Sequence, residues 1–135
     1  AVVSASLDIP EALLDDPRTI VVTTGRSDRG RREELAHTVD VVVAGDDELD
    51  PHALVRALTE RGHTRISCEG GPLLYAELLA AGLVDDQLLV YAPMLFPGDA
   101  LRVTQTLHAD RTTPVRLHGL FEEDGFLFTH WLTAR

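Results

Sequence analysis

Thr64-Arg65-Ile66-Ser67-Cys68-Glu69-Gly70-Gly71-Pro72-Leu73-Leu74 reads as a buried strand, an acid and two glycines, then a helix with proline in its first turn. Adjacent glycines let the backbone approach a ligand closely and take positive φ at little steric cost. Pro72 fits the first helical position, where its missing N–H is not needed. The free N–H groups of such a helix start, with the positive end of its dipole, suit a phosphate. Glu69 falls at the strand's exit, where open α/β sheets place their ligands. The local chemistry is an anion cradle beside one carboxylate. By itself such a run is equally a tight structural turn, so its flanks decide the reading.

Upstream, Ala1 to Ser6 reads as a short apolar strand and Leu7 to Arg18 as a connector broken by Pro10, Asp15, Asp16 and Pro17. Thr19 to Thr24 is a β-branched run, a buried strand. Asp28 is placed to cap a helix from about Arg29 to His37. Asp40 to Ala44 is another strand, followed by the acidic loop Gly45-Asp46-Asp47-Glu48. Asp50-Pro51 is a helix start with the acid as N-cap and the proline at the first position. Leu54, Ala57 and Leu58 share one face of that helix, and Gly62 stops it.

Downstream, a helix of about Pro72 to Ala81 ends at Gly82 in the same way. Gln87 to Ala92 is an apolar strand, and Ala100 to Val103 is weakly strand-like. Val115 to Phe121 and Phe126 to Thr133 alternate with period two around a turn at Glu122 to Gly125, an antiparallel hairpin. The order β-α-β-α-β-α-β predicts a parallel sheet with right-handed crossovers, to which the final strands add antiparallel pairs.

The 135 residues are expected to form one domain or part of one. With 44% hydrophobic and 25% charged residues, the composition is that of a soluble globular protein. No apolar run approaches the ~20 residues that cross a bilayer, no basic-then-apolar leader is visible, and a cytoplasmic location is expected. The single cysteine, Cys68, excludes an internal disulfide and a multi-cysteine metal site; it reads as a small buried residue. A net charge of −10 argues against nucleic acid as a partner, so a phosphate must be held by local features. Arg26, Arg29, Arg31 and Arg32 form a local basic cluster, readable also as the solvated start of a helix.

Glu-Gly-Gly-Pro at 69–72, a short Leu-rich helix, Ala-Gly-Leu-Val-Asp at 81–85 and an apolar strand ending in Ala92-Pro93 together resemble one family. It is the reductase domain of riboflavin biosynthesis, the RibD C-terminal family. The resemblance extends to Asp124-Gly125-Phe126-Leu127-Phe128, to Ala1-Val2-Val3-Ser4-Ala5-Ser6 and to Ile20-Val21-Val22-Thr23-Thr24, essentially the whole chain. It implies a dihydrofolate reductase-like α/β fold: a mixed sheet, mostly parallel, with a C-terminal antiparallel hairpin and three main helices. It also implies an NADPH-dependent reductase that transfers hydride to a ribosylaminopyrimidine 5-phosphate. In such enzymes the cofactor carries the chemistry and the protein orients it, so no residue is assigned an acid–base role.

By the same resemblance Glu69 faces substrate, while Gly70, Gly71, Pro72, Leu73, Leu74, Tyr75, Ala76 and Glu77 line the NADP(H) diphosphate and nicotinamide. Leu74 and Leu78 read equally as core side chains. Ser6 lies near a cofactor-contacting position of the family. Thr23 and Thr24 end a strand where open sheets bind ligands. With Gly25, Arg26 and Ser27 they are candidates for the adenosine 2′-phosphate, which an arginine fork grips with two hydrogen bonds. The six histidines show no ligand spacing, and no metal is expected. Trp131 reads as core or as a subunit contact.

Compared with the family, the chain looks like its carboxy-terminal portion. The Ser-Leu-Asp-Gly-type substrate segment and the Gly-Thr turn are not found, and Phe96-Pro97-Gly98-Asp99 replaces a Gly-Gly turn. Uncovered sheet edges invite pairing, so a homo-oligomer, most simply a dimer, is expected beside a small-molecule substrate. The alternative function is a non-catalytic nucleotide-binding or assembly module that keeps only the cofactor half. A flavodoxin-like phosphate binder is a third reading, against which the 81–93 segment speaks.

Overall fold

A computed structural model of the chain describes residues 1–95, 97–98, 102–105 and 112–134. The weak strand expected at 100–103 falls partly outside these residues, as do Phe96 and Asp99 of the substituted turn, and His108 does so entirely. The chain divides into two compact units, Ala1–Ile66 and Ser67–Arg135.

The first unit is built on a parallel sheet in the order β1 (Val2–Val3), β2 (Ile20–Thr23), β3 (Asp40–Val43). Val2 pairs with Val21, and Ile20 to Thr23 run beside Asp40 to Val43 in step. All four β2 residues are buried, as expected of a central parallel strand, which reads as an unbroken apolar run because both faces are covered. Between the strands lie α1 (Glu11–Leu14) and α2 (Arg29–Leu35); α3 (Pro51–Glu60) follows β3. Leu7, Ile9, Val21, Leu35 and Val39 form the core, with Val2, Leu14 and Val41 against it. The one-turn helix α1 sits inside the expected connector, where Leu13 N–H bonds the carbonyl of Pro10 at 2.9 Å; proline's fixed φ favours such a start.

Asp28 caps α2 through the Arg31 amide, as its position predicts. Asp50 caps α3 through the amides of His52 and Ala53. At the far end of α3, Gly62 at φ +89 closes a Schellman motif, with His63 N–H on Leu58 O and Gly62 N–H on Thr59 O. Arg61 then pairs with Asp40 on β3.

The second unit holds α4 (Pro72–Ala80) and an antiparallel sheet in the order β4 (Asp86–Tyr91), β6 (Phe126–Thr133), β5 (Val115–Glu123). Asp124 at φ +51 and Gly125 at φ +81 make the two-residue hairpin turn. Positive φ at both positions is type I′ geometry, which Asp-Gly favours because its twist matches that of the strands. A bulge between Leu117 and Gly119 sets His118 against His130, ring centroids 4.8 Å apart and nearly perpendicular, and His130 meets Asp86 of β4. The Trp131 indole donates to Thr129 Oγ1 at 2.9 Å.

Three expectations are corrected. Instead of one mixed, mostly parallel sheet with three helices, the described residues form a parallel sheet and a separate antiparallel sheet of three strands each, with four helices, because β4 pairs with β6 and not with the parallel strands. Residues 64–69 are not a strand, and Cys68 is exposed rather than buried. Among the described residues the segment has no ladder partner, and Ile66 is 46% exposed. β propensity expresses itself only against a paired, half-buried neighbour; without one the same residues remain irregular. No helix among the described residues is long and apolar enough to cross a membrane.

Candidate functional site

The start of α4 is the feature that the Gly-Gly-Pro run builds. Gly71 is the N-cap residue, at φ −50 and ψ 169, and supplies no side-chain cap. The first intrahelical bond runs from Tyr75 N–H to Gly71 O at 3.2 Å. The N–H groups of Leu73 and Leu74 have no acceptor among the described residues. Pro72 contributes no donor, and its carbonyl accepts from Gln105 N–H at 3.1 Å. A Cβ at Gly71 would meet nothing within 4 Å, whereas at Gly70 it would lie 3.3 Å from Leu74. The helix therefore presents open donors, the positive end of its dipole and clear space, which suits an anion.

Glu69 is exposed just ahead of this turn, and Leu73 and Glu77 are exposed on the helix. Leu74 and Tyr75 are half-buried, and Ala76 and Leu78 are buried. Ala76 thus has neither an exposed side chain nor, inside the helix, free backbone groups to offer a ligand. The Tyr75 hydroxyl is buried without a hydrogen-bond partner among the described residues. Burial pushes this phenol above its usual 10.0, with the Cys68 charge adding to the shift.

In the first unit, β2 leads into the loop Thr24–Ser27. Thr23 is 1% exposed, Thr24 and Ser27 are buried, and Arg26 is exposed. Three of the loop amides are engaged: Gly25 on Gly45 O and Arg26 on Asp46 O at 2.9 Å, Ser27 on Thr24 O at 3.2 Å. These three amides are not available to an anion, which leaves the side chains as the main holding groups. Arg29 pairs with Glu33 at 2.8 Å and Arg31 with Glu34 at 2.6 Å, while Arg26 has no ion-pair partner among the described residues. Thr23 Oγ1 is buried without a hydrogen-bond partner among the described residues. Such a group costs about 1–3 kcal/mol if left unmet, and a ligand atom is one way to meet it. Ser6 is exposed, and its Oγ accepts from Asp8 N–H at 3.3 Å.

Each unit by itself thus offers polar groups to a ligand. In the second, the open amides at 73–74 suit a diphosphate; in the first, the unpaired Arg26 and the unmet Thr23 hydroxyl suit a phosphate and a polar group. The sequence reading placed Arg32 in a basic cluster but missed that its Nη1 lies against the 24–27 loop. It also missed the bonds that tie this loop to Gly45 and Asp46. No short-range spacing signals either, because the contacts join different elements. Among the described residues no group of three or more His, Cys, Asp or Glu is placed to hold a metal.

Residues 1–121 match the family model of the RibD C-terminal domain. The chain is 35% identical over 86 residues to the 2,5-diamino-6-ribosylamino-4(3H)-pyrimidinone 5′-phosphate reductase of Methanothermobacter thermautotrophicus, covering 64% of this chain and 40% of that protein. The protein of the same name from Archaeoglobus fulgidus is 29% identical over 86 residues, covering 64% and 39%. The chain thus spans about two fifths of the length of these curated relatives. Among solved structures, a pyrimidine reductase-like protein from Corynebacterium diphtheriae superposes with a TM-score of 0.83 at 25% identity, over 98% of this chain and 60% of that one. Acinetobacter baumannii RibD superposes with a TM-score of 0.75 at 18% identity, over 98% and 36%, a likeness of fold.

Proposed function

This chain belongs to the RibD C-terminal domain family, and from that footing we propose that it serves an NADPH-dependent reduction of a ribosylaminopyrimidine 5-phosphate. The observation that carries the reading is the start of α4, where no side-chain cap and no acceptor for the amides of Leu73 and Leu74 is found among the described residues. The pyrimidinone phosphate reductases that the chain resembles support the substrate class. The superpositions support a dihydrofolate reductase-like arrangement, with the chain as part of one reductase domain.

In this reading the α4 amides and the turn at Gly70 and Gly71 hold the diphosphate. Arg26 takes the 2′-phosphate, and Thr23, Thr24 and Ser6 contribute polar contacts to the cofactor. Tyr75 and Glu77 complete the cofactor-facing stretch, and Glu69 holds the substrate. Bound NADPH supplies the hydride. The chain's own part is to orient, since positioning alone supplies a large share of such rate enhancements. The antiparallel sheet leaves Leu88 75% and Phe121 71% exposed, which supports self-association as a dimer. A cytoplasmic location is proposed on the same footing.

Fluorescence titration of NADPH, with and without the aminopyrimidine substrate, tests the reading. Saturable quenching and substrate-dependent oxidation are expected. Binding without turnover would favour the nucleotide-binding module instead, and no binding would sink both.

A further inference from the structure

Arg32 is the one arginine of the basic cluster whose charge is directed at backbone. Its Nη1 donates to Ser27 O at 2.7 Å, Ser27 Oγ at 2.9 Å, Gly25 O at 3.0 Å and Thr24 O at 3.2 Å. Residues three and four ahead of it are Leu35 and Ala36, so it lacks the one-turn carboxylate partner that Arg29 and Arg31 have. One nitrogen carries two hydrogens, so these contacts share donors, but a cationic donor strengthens each of them.

The pattern of what is held is informative. The carbonyls of residues 24, 25 and 27 turn onto Arg32, and that of Arg26 does not. The amides of Gly25 and Arg26 are fastened on the other side to Gly45 O and Asp46 O. The backbone at Arg26 is thus fixed from both directions while its side chain stays exposed. Asp46 and Asp47 lie in the loop that fastens it, yet no ion pair joins Arg26 to either among the described residues. We propose that Arg32 is a positioning residue for phosphate recognition: it clamps the Thr24–Ser27 loop so that the Arg26 guanidinium is presented outward and does not fold back onto the acids beside it. The inference rests on the assignment of Arg26 to the cofactor's 2′-phosphate.

A double-mutant cycle read as the ratio of NADPH to NADH affinity tests it. Arg26→Ala, Arg32→Met and the double variant are titrated by fluorescence in the full chain, with urea midpoints alongside. Arg32→Met is expected to lower the ratio by on the order of tenfold. In the Arg26→Ala background it should lower the ratio no further. Equal weakening of both cofactors, or additive effects in the double variant, means a structural role only and overturns the inference. If Arg32→Met does not fold, Arg32→Lys, which keeps a cation but not the fork, carries the same cycle, with a smaller loss of about threefold expected. Arg26→Ala leaving the ratio untouched sinks the phosphate assignment, and this inference with it. Arg26→Ala lowering the ratio while the Arg32 variants do not sinks the inference alone.

Discussion

Helices α3 and α4 obey the same rules at three of their four terminal features. Each has proline at its first position, Pro51 and Pro72. Each ends in a glycine at positive φ, Gly62 and Gly82, with the same pair of Schellman bonds: His63 on Leu58 and Leu83 on Leu78, Gly62 on Thr59 and Gly82 on Leu79. They differ at the N-cap. Asp50 accepts from the amides of His52 at 2.9 Å and Ala53 at 3.2 Å, closing the α3 start. Gly71 accepts nothing through a side chain, and the α4 start stays open among the described residues. Capping oxygens are stabilising, so an uncapped helix of ordinary length forgoes local stability. What it gains is a set of donors for something other than the chain itself. The contrast makes α3 a structural helix and α4 the proposed ligand-holding one.

The sharpest way to break the comparison is to give α4 the cap that α3 has. A Cβ at Gly71 meets no described atom within 4 Å, so Gly71→Asp starts a side chain there without crowding its Cβ. Two unit charges about 5 Å apart at an effective dielectric near 20 repel by ~3 kcal/mol, so NADPH affinity should fall by about 100-fold while the urea midpoint holds or rises. Gly71→Ala, measured in parallel, should stay near wild type in affinity. If the Gly71→Asp protein bound NADPH as well as the parent, the diphosphate would have to be removed from this helix.

The converse change opens α3. Asp50→Ala should cost ~1 kcal/mol of stability in urea unfolding, the usual worth of an N-cap, and leave NADPH affinity unchanged. A loss of affinity instead would mean that the division between structural and ligand-holding starts is wrong.

A third, smaller effect concerns the far end of α3. The Arg61 guanidinium, hydrogen-bonded to Asp40, holds that carboxyl below its usual 3.8. A carboxyl with a depressed folded value contributes stability that is complete above the unfolded value and is lost as pH falls through the folded one. Both partners are partly exposed, at 34% and 46% of their side chains, so the pair is worth about 0.5 kcal/mol. Arg61→Ala should remove that amount at pH 6 and progressively less as the pH falls below 3.8. Asp16, held down to about 2 by its hydrogen bonds with Arg18, is a second low-titrating carboxyl; in an NMR pH titration Arg61→Ala should raise the Asp40 midpoint and leave that of Asp16 in place.

The features legible in the sequence are those made within one turn of the chain. Asp50-Pro51, Gly62 and Gly82 announced the ends of helices, and Asp124-Gly125 announced the hairpin, because each acts through its own φ or through amides two or three residues away. The apolar run at 20–23 announced a central strand. The expected strand at 64–69 did not form, although Thr64 and Ile66 favour extended backbone. The Gly-Gly-Pro cradle was readable as a possibility; that its amides find no acceptor among the described residues was not, because the absence of an acceptor is a property of everything nearby.

The local grammar of caps, turns and apolar runs was therefore set by the sequence alone, since those free energies depend on neighbours in the chain. Only the tertiary structure decided where Arg32 directs its charge, that Arg61 reaches Asp40 across 21 positions, that His118 bulges onto His130, and that Thr23 is sealed with a hydroxyl unmet among the described residues. Those outcomes depend on which groups remain unsatisfied once elements distant in the chain have packed, and a buried or convergent polar group takes its partner from whatever the fold brings within reach.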